Sequence, residues 1–588
     1  MSVASAIARR VLGLPAPRAR RVRAHRRLRV PMRDGVELIA DHFAPDLPAA
    51  PTVLIRTPYG RGFTLGVLAR TIAGQGFHVV TQSCRGTHDS GGVFEPMRHE
   101  RDDGLDTVAW LRRQPWYSGE LCTYGPSYVG FVQWALAAEA GPDLKAMATI
   151  VTAADFREPT YAGGSFSLDT VLTWAALLSA QRGPRLANFV ELRRGQPRLH
   201  RGLAHLPLRE ADLVATGEEI GFLRDWLSEP GAEYWGHRGH AMRRADVTAP
   251  VLMVGGWQDI FLPWQLDDYA ALRDAGARPR LTIGPWTHGS FGLARHSIVE
   301  SVAWFHEFTG DAGAAGADGD ARGNGRGRRR AAPARPREAV VRVHLGGADE
   351  WWEFDDWPPA GARTRDWYLW PDAGLGAAPP GPAGPPTRFR YDPADPTPAV
   401  GGPRLAANVA GRRDNRALEA RPDVVTFTSA PLDRPVTAVG PVAATVHVRA
   451  GGEHFDVFVR LCDVTPDGRS WNVCDGLVRV TPDRFPPDGD GVRAVHVDLW
   501  PTAHRFLAGH RVRVQVSGGA HPRFARNTGT GEPLATATRL RPVDIEVRTD
   551  ARYPSALHLT ELPYRCRYGV GRSTSPRQAP VSRPRASM

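Results

Sequence analysis

Leu121-Cys122-Thr123-Tyr124-Gly125-Pro126-Ser127-Tyr128-Val129-Gly130 is the stretch on which the reading of this 588-residue chain turns. A short apolar run able to form a strand arrives at Gly125, and an Ala-rich apolar run, Tyr128 to Ala140, leaves it as a buried helix. One serine sits between, with glycines close on either side, which is the layout of a nucleophile elbow: a tight strand-to-helix turn that leaves the hydroxyl exposed above a helix N-terminus. N–H donors at such a terminus can stabilise an oxyanion. The strict pattern places glycine at 129; here that position is Val129 and the glycine follows at 130. A Gly-x-Ser turn before a helix also serves as a plain N-cap. The elbow reading therefore needs partners elsewhere in the chain.

Working outward, the length corresponds to two to four domains with ample core. The formal charge is +12 and Lys145 is the only lysine, so the positive charge is almost wholly arginine. With 62 Gly and 51 Pro, this reads as compositional bias rather than as a nucleic-acid footprint. No apolar run reaches the roughly 20 residues that span a bilayer. Arg9-Arg10 are followed by an apolar stretch that Pro15 and Pro17 interrupt, so no export signal is expected, and the expected compartment is cytoplasmic. The five cysteines (84, 122, 462, 474, 566) fit neither a disulfide framework nor paired zinc ligands.

In chain order, residues 1–28 read as a basic disordered arm. Alternation from Leu28 to Phe43 predicts a hairpin, and the segment 29–154 then alternates buried strands (Pro51–Ile55, Gly76–Thr81, the run into Ser127, Ala146–Val151) with helices such as Asp102–Arg113. That pattern predicts a parallel α/β sheet with its site at the C-terminal ends of the strands. Residues 155–245 carry helical patterns only (Ser167–Gln181, Pro184–Arg194, Leu208–Thr216, Gly217–Trp226) and read as a cap inserted over the sheet. The α/β pattern resumes over 246–309, with strands at Pro250–Gly256 and Arg280–Gly284. Residues 310–338 read as a flexible linker. Short alternating strands between Pro/Gly loops then predict an all-β sandwich of jelly-roll type over 339–570, with a tail at 571–588. The fold class is thus an α/β-hydrolase domain with an inserted helical cap and a C-terminal β-sandwich.

A serine hydrolase of this fold carries its nucleophile, acid and histidine in that chain order, the acid and the histidine after late strands. Asp259 follows the strand 250–256 and His288 follows the strand 280–284, so both fall on the sheet edge that carries Ser127. The hydroxyl becomes a nucleophile when the imidazole takes its proton, and the carboxylate fixes the imidazole tautomer. Gly163-Gly164-Ser165 is a rival elbow, but no strand leads into it.

The stretches Arg56-Thr57-Pro58-Tyr59, Arg85-Gly86 with Ser90-x-Gly92-x-Phe94, Gly125 to Gly130, Gly255-Gly256-Trp257-Gln258-Asp259 and Gly284-Pro285-Trp286-Thr287-His288 carry a resemblance. So do Gly346 to Trp351, Trp357-Pro358, Gly509 to Val514 and Pro522 to Asn527. Over residues 28–570 the chain resembles the bacterial cocaine esterase / X-Pro dipeptidyl-peptidase (CocE/NonD) family of serine hydrolases. The resemblance implies Ser127, Asp259 and His288 as the triad, the Tyr59 hydroxyl and Tyr128 N–H as the oxyanion hole, and Tyr161, Trp174 and Phe261 as the acyl pocket. One departure is Ser83, where the family carries Asp two residues before Arg-Gly; an ion pair to Arg85 is then in doubt.

The expected chemistry is hydrolysis of carboxylic esters with apolar or aryl acyl groups through an acyl-enzyme, without metal or organic cofactor. Alternatives are an X-Pro dipeptidyl-peptidase, an acylase or amino-acid ester hydrolase, and a catalytically dead binding protein, which the complete triad argues against. The two positions two and three after Asp259, where amino-acid ester hydrolases carry carboxylates, are Phe261 and Leu262. The expected partner is a small-molecule ester or short peptide substrate, with neither nucleic acid nor membrane; a homo-oligomer is compatible with the sequence.

Overall fold

A computed structural model describes residues 3–47, 49–181, 196–229, 231–236, 241–310, 340–382 and 384–563. The expected helix 184–194, the linker from residue 311 on and the tail 571–588 lie outside these described residues. The helix α1 (Val3–Leu12) comes first, then the strands β1 (Val22–Pro31), β2 (Glu37–Pro45) and β3 (Thr52–Thr57). Next are α2 (Phe63–Ala73), β4 (His78–Ser83), α3 (Glu100–Arg112), β5 (Leu121–Pro126), α4 (Tyr128–Ala137) and β6 (Leu144–Ile150). Helices α5 (Leu168–Ala180), α6 (Ala211–Thr216) and α7 (Gly221–Leu227) lie in the inserted segment. Then follow β7 (Val251–Gln258), α8 (Leu262–Asp274), β8 (Arg280–Thr287), α9 (Phe291–Phe308), β9 (Val341–Leu345) and β10 (Glu350–Phe354).

These ten strands form one sheet in the order β1-β2-β4-β3-β5-β6-β7-β8-β9-β10. The seven from β4 to β9 are parallel, and β1-β2 and β10 add antiparallel edges. Strands β3 and β4 are buried at every residue because helices cover both sheet faces. Helices α3, α4 and α8 share one core with the sheet, around Leu111, Trp134 and Tyr269. Helices α2 and α9 share the other, around Ile72 and Phe305. The chain winds outward from β3 to β4 and then back from β5 to β8, so the strand order reverses between β3 and β5. A crevice forms at such a reversal, outside the carboxyl ends of the strands.

Two expectations are corrected here. Residues 3–28 are not a disordered arm: α1 packs on α2 and α9, Leu14 and Ala19 are buried, and β1 pairs with β2 from Val22 onward. The arginines of β1 misled the reading because their guanidiniums reach outward to Asp41, Asp89 and Glu37. The segment 341–354 is not part of the sandwich: β9 pairs parallel to β8, and β10 returns against β9. An apolar alternating strand fits the edge of a covered sheet as well as it fits a sandwich.

The remaining strands form two antiparallel sheets. One holds β11 (Arg363–Leu369), β12 (Leu375–Gly376), β13 (Thr387–Tyr391), β15 (Val436–Ala450), β18 (Arg493–Asp498), β19 (Thr502–Phe506), β21 (Val543–Arg548) and β22 (Ala556–Glu561), with β14 (Val424–Thr428), β16 (Phe455–Val464), β17 (Ser470–Val480) and β20 (Arg511–Ser517) in the other. Alternate residues of the facing strands, including Val446, Val448, Val459, Leu461, Val514 and Val516, close one apolar core between them. Strand β16 is buried along its whole length, whereas the outer β18 alternates buried and exposed residues. The sandwich is joined to the rest by apolar packing, with Ala162 and Trp264 against Phe458, Leu477 and Phe524, and by polar contacts. Gln258 Nε2 donates to the Val473 carbonyl at 2.8 Å, and the Arg404 guanidinium grips Asp169 of α5 with both Asp oxygens at 3.0 and 3.1 Å.

The Arg404–Asp169 pair is buried on both sides. Asp169→Asn leaves a guanidinium in the interior without its counter-charge, so unfolding free energy should fall by about 3–5 kcal/mol. Asp169→Leu combined with Arg404→Met should recover most of that loss. Urea titrations of the wild type and both variants measure it, and equal stability of Asp169→Asn and wild type would remove the pair from the account of how the parts are joined.

Candidate active site

Ser127 sits between β5 and α4 with φ 57° and ψ −129°, a backbone region that a side chain strains to enter. The surroundings impose it. The Ser127 N–H donates to the Ile150 carbonyl at 2.9 Å. The Ser127 carbonyl accepts from Gly130 N–H at 2.7 Å, Phe131 N–H at 3.0 Å and Thr152 Oγ1 at 2.7 Å. A Cβ on Gly125 would stand 2.1 Å from Val129 Cγ1, and one on Gly130 2.4 Å from Thr152 Cγ2. The displacement of glycine from 129 to 130 thereby acquires a reason: the Val129 side chain occupies the space above Gly125, and the close approach to the next strand falls at Gly130.

Helix α4 is buried at every residue. At its start the Tyr128 N–H has no acceptor among the described residues, while the Tyr128 side chain is locked beneath. Its hydroxyl donates to Glu100 Oε1 at 3.0 Å and accepts from Met97 N–H at 2.7 Å. Glu100 in turn faces the buried Arg56 guanidinium at 2.9 Å, and Arg56 Nε donates to Gln82. Burial, with the Glu100 charge beside it, drives the Tyr128 phenol well above its usual range.

Tyr59 follows β3, across the strand reversal from Ser127. Its hydroxyl accepts a hydrogen bond from Trp174 Nε1 at 3.0 Å. Loss of water pushes its pKa up to about 12, against hydrogen bonds from Trp174 and Ser127 that act the other way. The phenol therefore keeps its proton, and its ability to donate, throughout the neutral and moderately alkaline range. Beyond β7, the Asp259 carboxylate is fully buried and accepts from Phe261 N–H at 2.9 Å. His288 Nδ1 lies 2.7 Å from Asp259 Oδ2. A carboxylate only accepts, so Nδ1 carries the proton and Nε2 is left free to accept one.

Ser127, His288 and Tyr59 line one cavity of about 740 Å³, together with Trp174, Thr173 and Leu177 of α5, Leu199, Thr216 and the pair Leu405-Ala406. Of the expected acyl-pocket residues, Trp174 is on this wall. Tyr161 and Phe261 stand outside it: Tyr161 donates from its hydroxyl to the Trp226 carbonyl at 2.6 Å, and the Phe261 ring lies behind His288, 5.7 Å between centroids, and against Phe156. Leu405 and Ala406 were not anticipated, and nothing local in a Pro/Gly-rich loop of the β region marks them. The rival Ser165 is fully buried, with Oγ directed at the Ala525 carbonyl. Arg85 is not left unpaired by Ser83, since it holds Asp103 and Asp34 instead, and Ser83 Oγ accepts from Arg61. Among the described residues no group of three or more His, Cys, Asp or Glu is arranged to hold a metal ion.

Residues 34–290 match the model of the X-Pro dipeptidyl-peptidase (S15) family, and residues 335–558 match the X-Pro dipeptidyl-peptidase C-terminal non-catalytic domain. A cocaine esterase from Rhodococcus sp. (strain MB1 Bresler) is 31% identical over 552 residues, covering 86% of this chain and 92% of that protein. Among solved structures, an aminopeptidase from a marine sediment Thaumarchaeota archaeon superposes with a TM-score of 0.74 at 22% identity, and an α-amino acid ester hydrolase with 0.73 at 21% identity. Each covers 92% of this chain and is itself covered to 96%.

Two substitutions test the site. Ser127→Ala should abolish ester hydrolysis and labelling by a fluorophosphonate; covalent label found on Ser165 by peptide mass spectrometry would overturn the assignment of the nucleophile. Tyr59→Phe should lower kcat by roughly 10²–10³ with a smaller change in KM, since a single oxyanion donor acts mainly in the transition state. A variant within about threefold of wild type would reduce Tyr59 to a wall residue.

Proposed function

We infer the activity from membership: the chain belongs to the bacterial cocaine esterase / X-Pro dipeptidyl-peptidase (CocE/NonD) family of serine hydrolases. Within that family it hydrolyses carboxylic esters whose acyl group is apolar or aromatic. The observation that carries this reading is the cavity above Ser127, which has no carboxylate among its described lining residues. Asp259 is withdrawn from it, fully buried and committed to His288 and the Phe261 amide. A peptide N-terminus or an α-amino ester brings an ammonium group into the acyl site, and an ammonium stripped of water without a counter-charge is strongly disfavoured.

In the proposed reaction Ser127 Oγ attacks the ester carbonyl while His288 Nε2 takes its proton. The negative charge that develops on the carbonyl oxygen is met by the Tyr59 hydroxyl and the Tyr128 N–H. The imidazolium, held by Asp259, gives its proton to the departing alcohol, leaving the acyl group on Ser127. Water activated by the same imidazole then releases the acid. Trp174 has two parts in this scheme: its ring walls the acyl group, and its N–H occupies the Tyr59 oxygen, so the phenolic proton is left to point at the substrate.

Benzoyl and short-chain acyl esters should exceed Gly-Pro and α-amino acyl derivatives of the same leaving group by about tenfold or more in kcat/KM, the scale expected when a buried charge goes unpaired. Initial rates on a matched p-nitrophenyl and anilide panel measure this. A tenfold preference for Gly-Pro or Ala-Pro anilides would replace the esterase reading with the dipeptidyl-peptidase one.

A further inference from the structure

Successive residues of a strand point to opposite faces of its sheet. In β1, Val22 and Ala24 turn to the core shared with α2 and α9, so Arg23 and His25 turn to the other face. His25 stands opposite His42 of β2, and the pairing of His42 with Val80 puts His78 of β4 two residues along on that same face. The His42 ring stacks on Trp116 with centroids 3.8 Å apart and on His25 at 5.7 Å, and His78 lies 4.9 Å from Trp116. These rings, with Arg20, Arg21 and Arg23, line a cavity of about 820 Å³. His78 opens β4, whereas Ser127 follows the last residue of β5. The cavity therefore lies at the N-terminal ends of the parallel strands, the opposite end of the sheet from the triad.

His42 and His78 are 3% and 5% exposed, and their Nε2 and Nδ1 atoms share a hydrogen bond of 2.9 Å. The second nitrogen of each ring has no partner among the described residues and is not sealed from solvent, so both open into the cavity. Loss of water pushes the His42 pKa down to about 3 and that of His78 to about 4, which keeps both rings neutral. Whichever ring donates in the shared bond, the pair turns one N–H and one lone pair outward. At the rim, Arg20, Arg21 and Arg23 are exposed, and the Arg21 and Arg23 guanidiniums have no ion pair among the described residues. Asp46 is the single carboxylate among the described lining residues, and it accepts from the Arg20 N–H at 2.9 Å. Three guanidiniums against one carboxylate leave two positive charges uncompensated.

We propose that this cavity is a second ligand site, for a flat aromatic ring that bears a dianionic phosphate. The ring continues the Trp116–His42–His25 stack at its exposed end, over His25. The phosphate is met by the rim guanidiniums, whose forked donors suit it, and by the outward imidazole N–H. A phosphate monoester carries close to two negative charges at neutral pH, which is the excess the rim holds. A carboxylate would leave one guanidinium unanswered, inorganic phosphate would leave the stack without a role, and a neutral ring would leave the arginines without one. The volume is that of a small-molecule site. A simple aryl phosphate and a nucleoside monophosphate share the chemistry recognised here. An unfolded arm at residues 1–28 would hold no such site, because Arg23 and His25 join His42 only through the pairing of β1 with β2.

Isothermal titration of the full chain at low salt with phenyl phosphate, adenosine monophosphate, inorganic phosphate and phenol tests the proposal. Phenyl phosphate and adenosine monophosphate should both bind, about tenfold or more tighter than inorganic phosphate or phenol, and more weakly as salt rises. The tighter of the two tells a nucleotide source from a simple aryl one. Arg21→Gln/Arg23→Gln should weaken both by about tenfold or more, while ester hydrolysis and the melting temperature of the unliganded chain stay as in wild type, which shows that the variant is folded. His25→Ala should weaken the two aromatic phosphates and leave inorganic phosphate unchanged. Absence of saturable binding by either aromatic phosphate, inorganic phosphate binding as tightly as they do, or equal binding by the glutamine variant overturns the proposal.

Discussion

The backbone of Ser127 is held where a serine does not go by choice, and much of the hydrolase half is arranged to keep it there. Its φ and ψ belong to a sparsely populated region that persists only when the surroundings over-determine it. Four hydrogen bonds fix the residue, one from its own N–H to Ile150 and three to its carbonyl. The side chains of Val129 and Thr152 leave no room for a Cβ at 125 or 130, so the turn is closed only by glycine at both positions. Helix α4 cannot slide to release it, because every residue of that helix is buried. The strand reversal between β3 and β5 then brings the ends of those two strands side by side, which sets Tyr59 next to the serine.

The sandwich is part of the site. The loop that carries Arg404 reaches the inserted helices through Asp169 and continues as Leu405-Ala406 into the wall of the cavity. Strand β7, which delivers Asp259, is tied by Gln258 to β17, and Trp257 Nε1 donates to the His344 carbonyl of β9. The strand ends that position the acid are therefore buttressed by residues more than 80 positions further along the chain. Such contacts are energetically coupled, so a change in the β region near Arg404 acts on the cavity wall as well as on stability.

Much of this was legible in the sequence. Buried parallel strands announce themselves as continuous apolar runs, and the positions of Ser127, Asp259 and His288 after such runs were readable without knowledge of the fold. What could not be read has physical reasons. Strands β9 and β10 carry the alternation of a sandwich strand, and only the pairing with β8 reveals their sheet. Helix α1 was hidden because an Ala- and Arg-rich segment is compatible with both a helix and a solvated arm, and the decision lies in tertiary packing of Ser5, Leu12 and Leu14. Tyr161 and Phe261 were placed by resemblance at the acyl pocket; each sits at a helix terminus, and whether its side chain is on a wall or one layer behind it depends on how that turn packs, which no local pattern records. The hydrogen bond from Trp174 to Tyr59 spans 115 positions and has no sequence signature.

The electrostatics of the site follow from which carboxylates remain visible. Asp34, Asp103 and Glu100 are taken by Arg85 and Arg56, Asp169 by Arg404, and Asp259 by His288. These acids are thus each held by a partner fixed in the fold, and the described wall above Ser127 carries no carboxylate, only aromatic, aliphatic and hydroxyl groups with His288, the Gln181 and Gln196 amides and the Arg198 guanidinium. In the proposed reaction the two donors at the carbonyl oxygen strengthen their hold as that oxygen becomes an anion. On that proposal rate rests on the Tyr59 and Tyr128 donors, whose positions the buried Arg56–Glu100–Tyr128 chain and the Trp174 N–H hold in place.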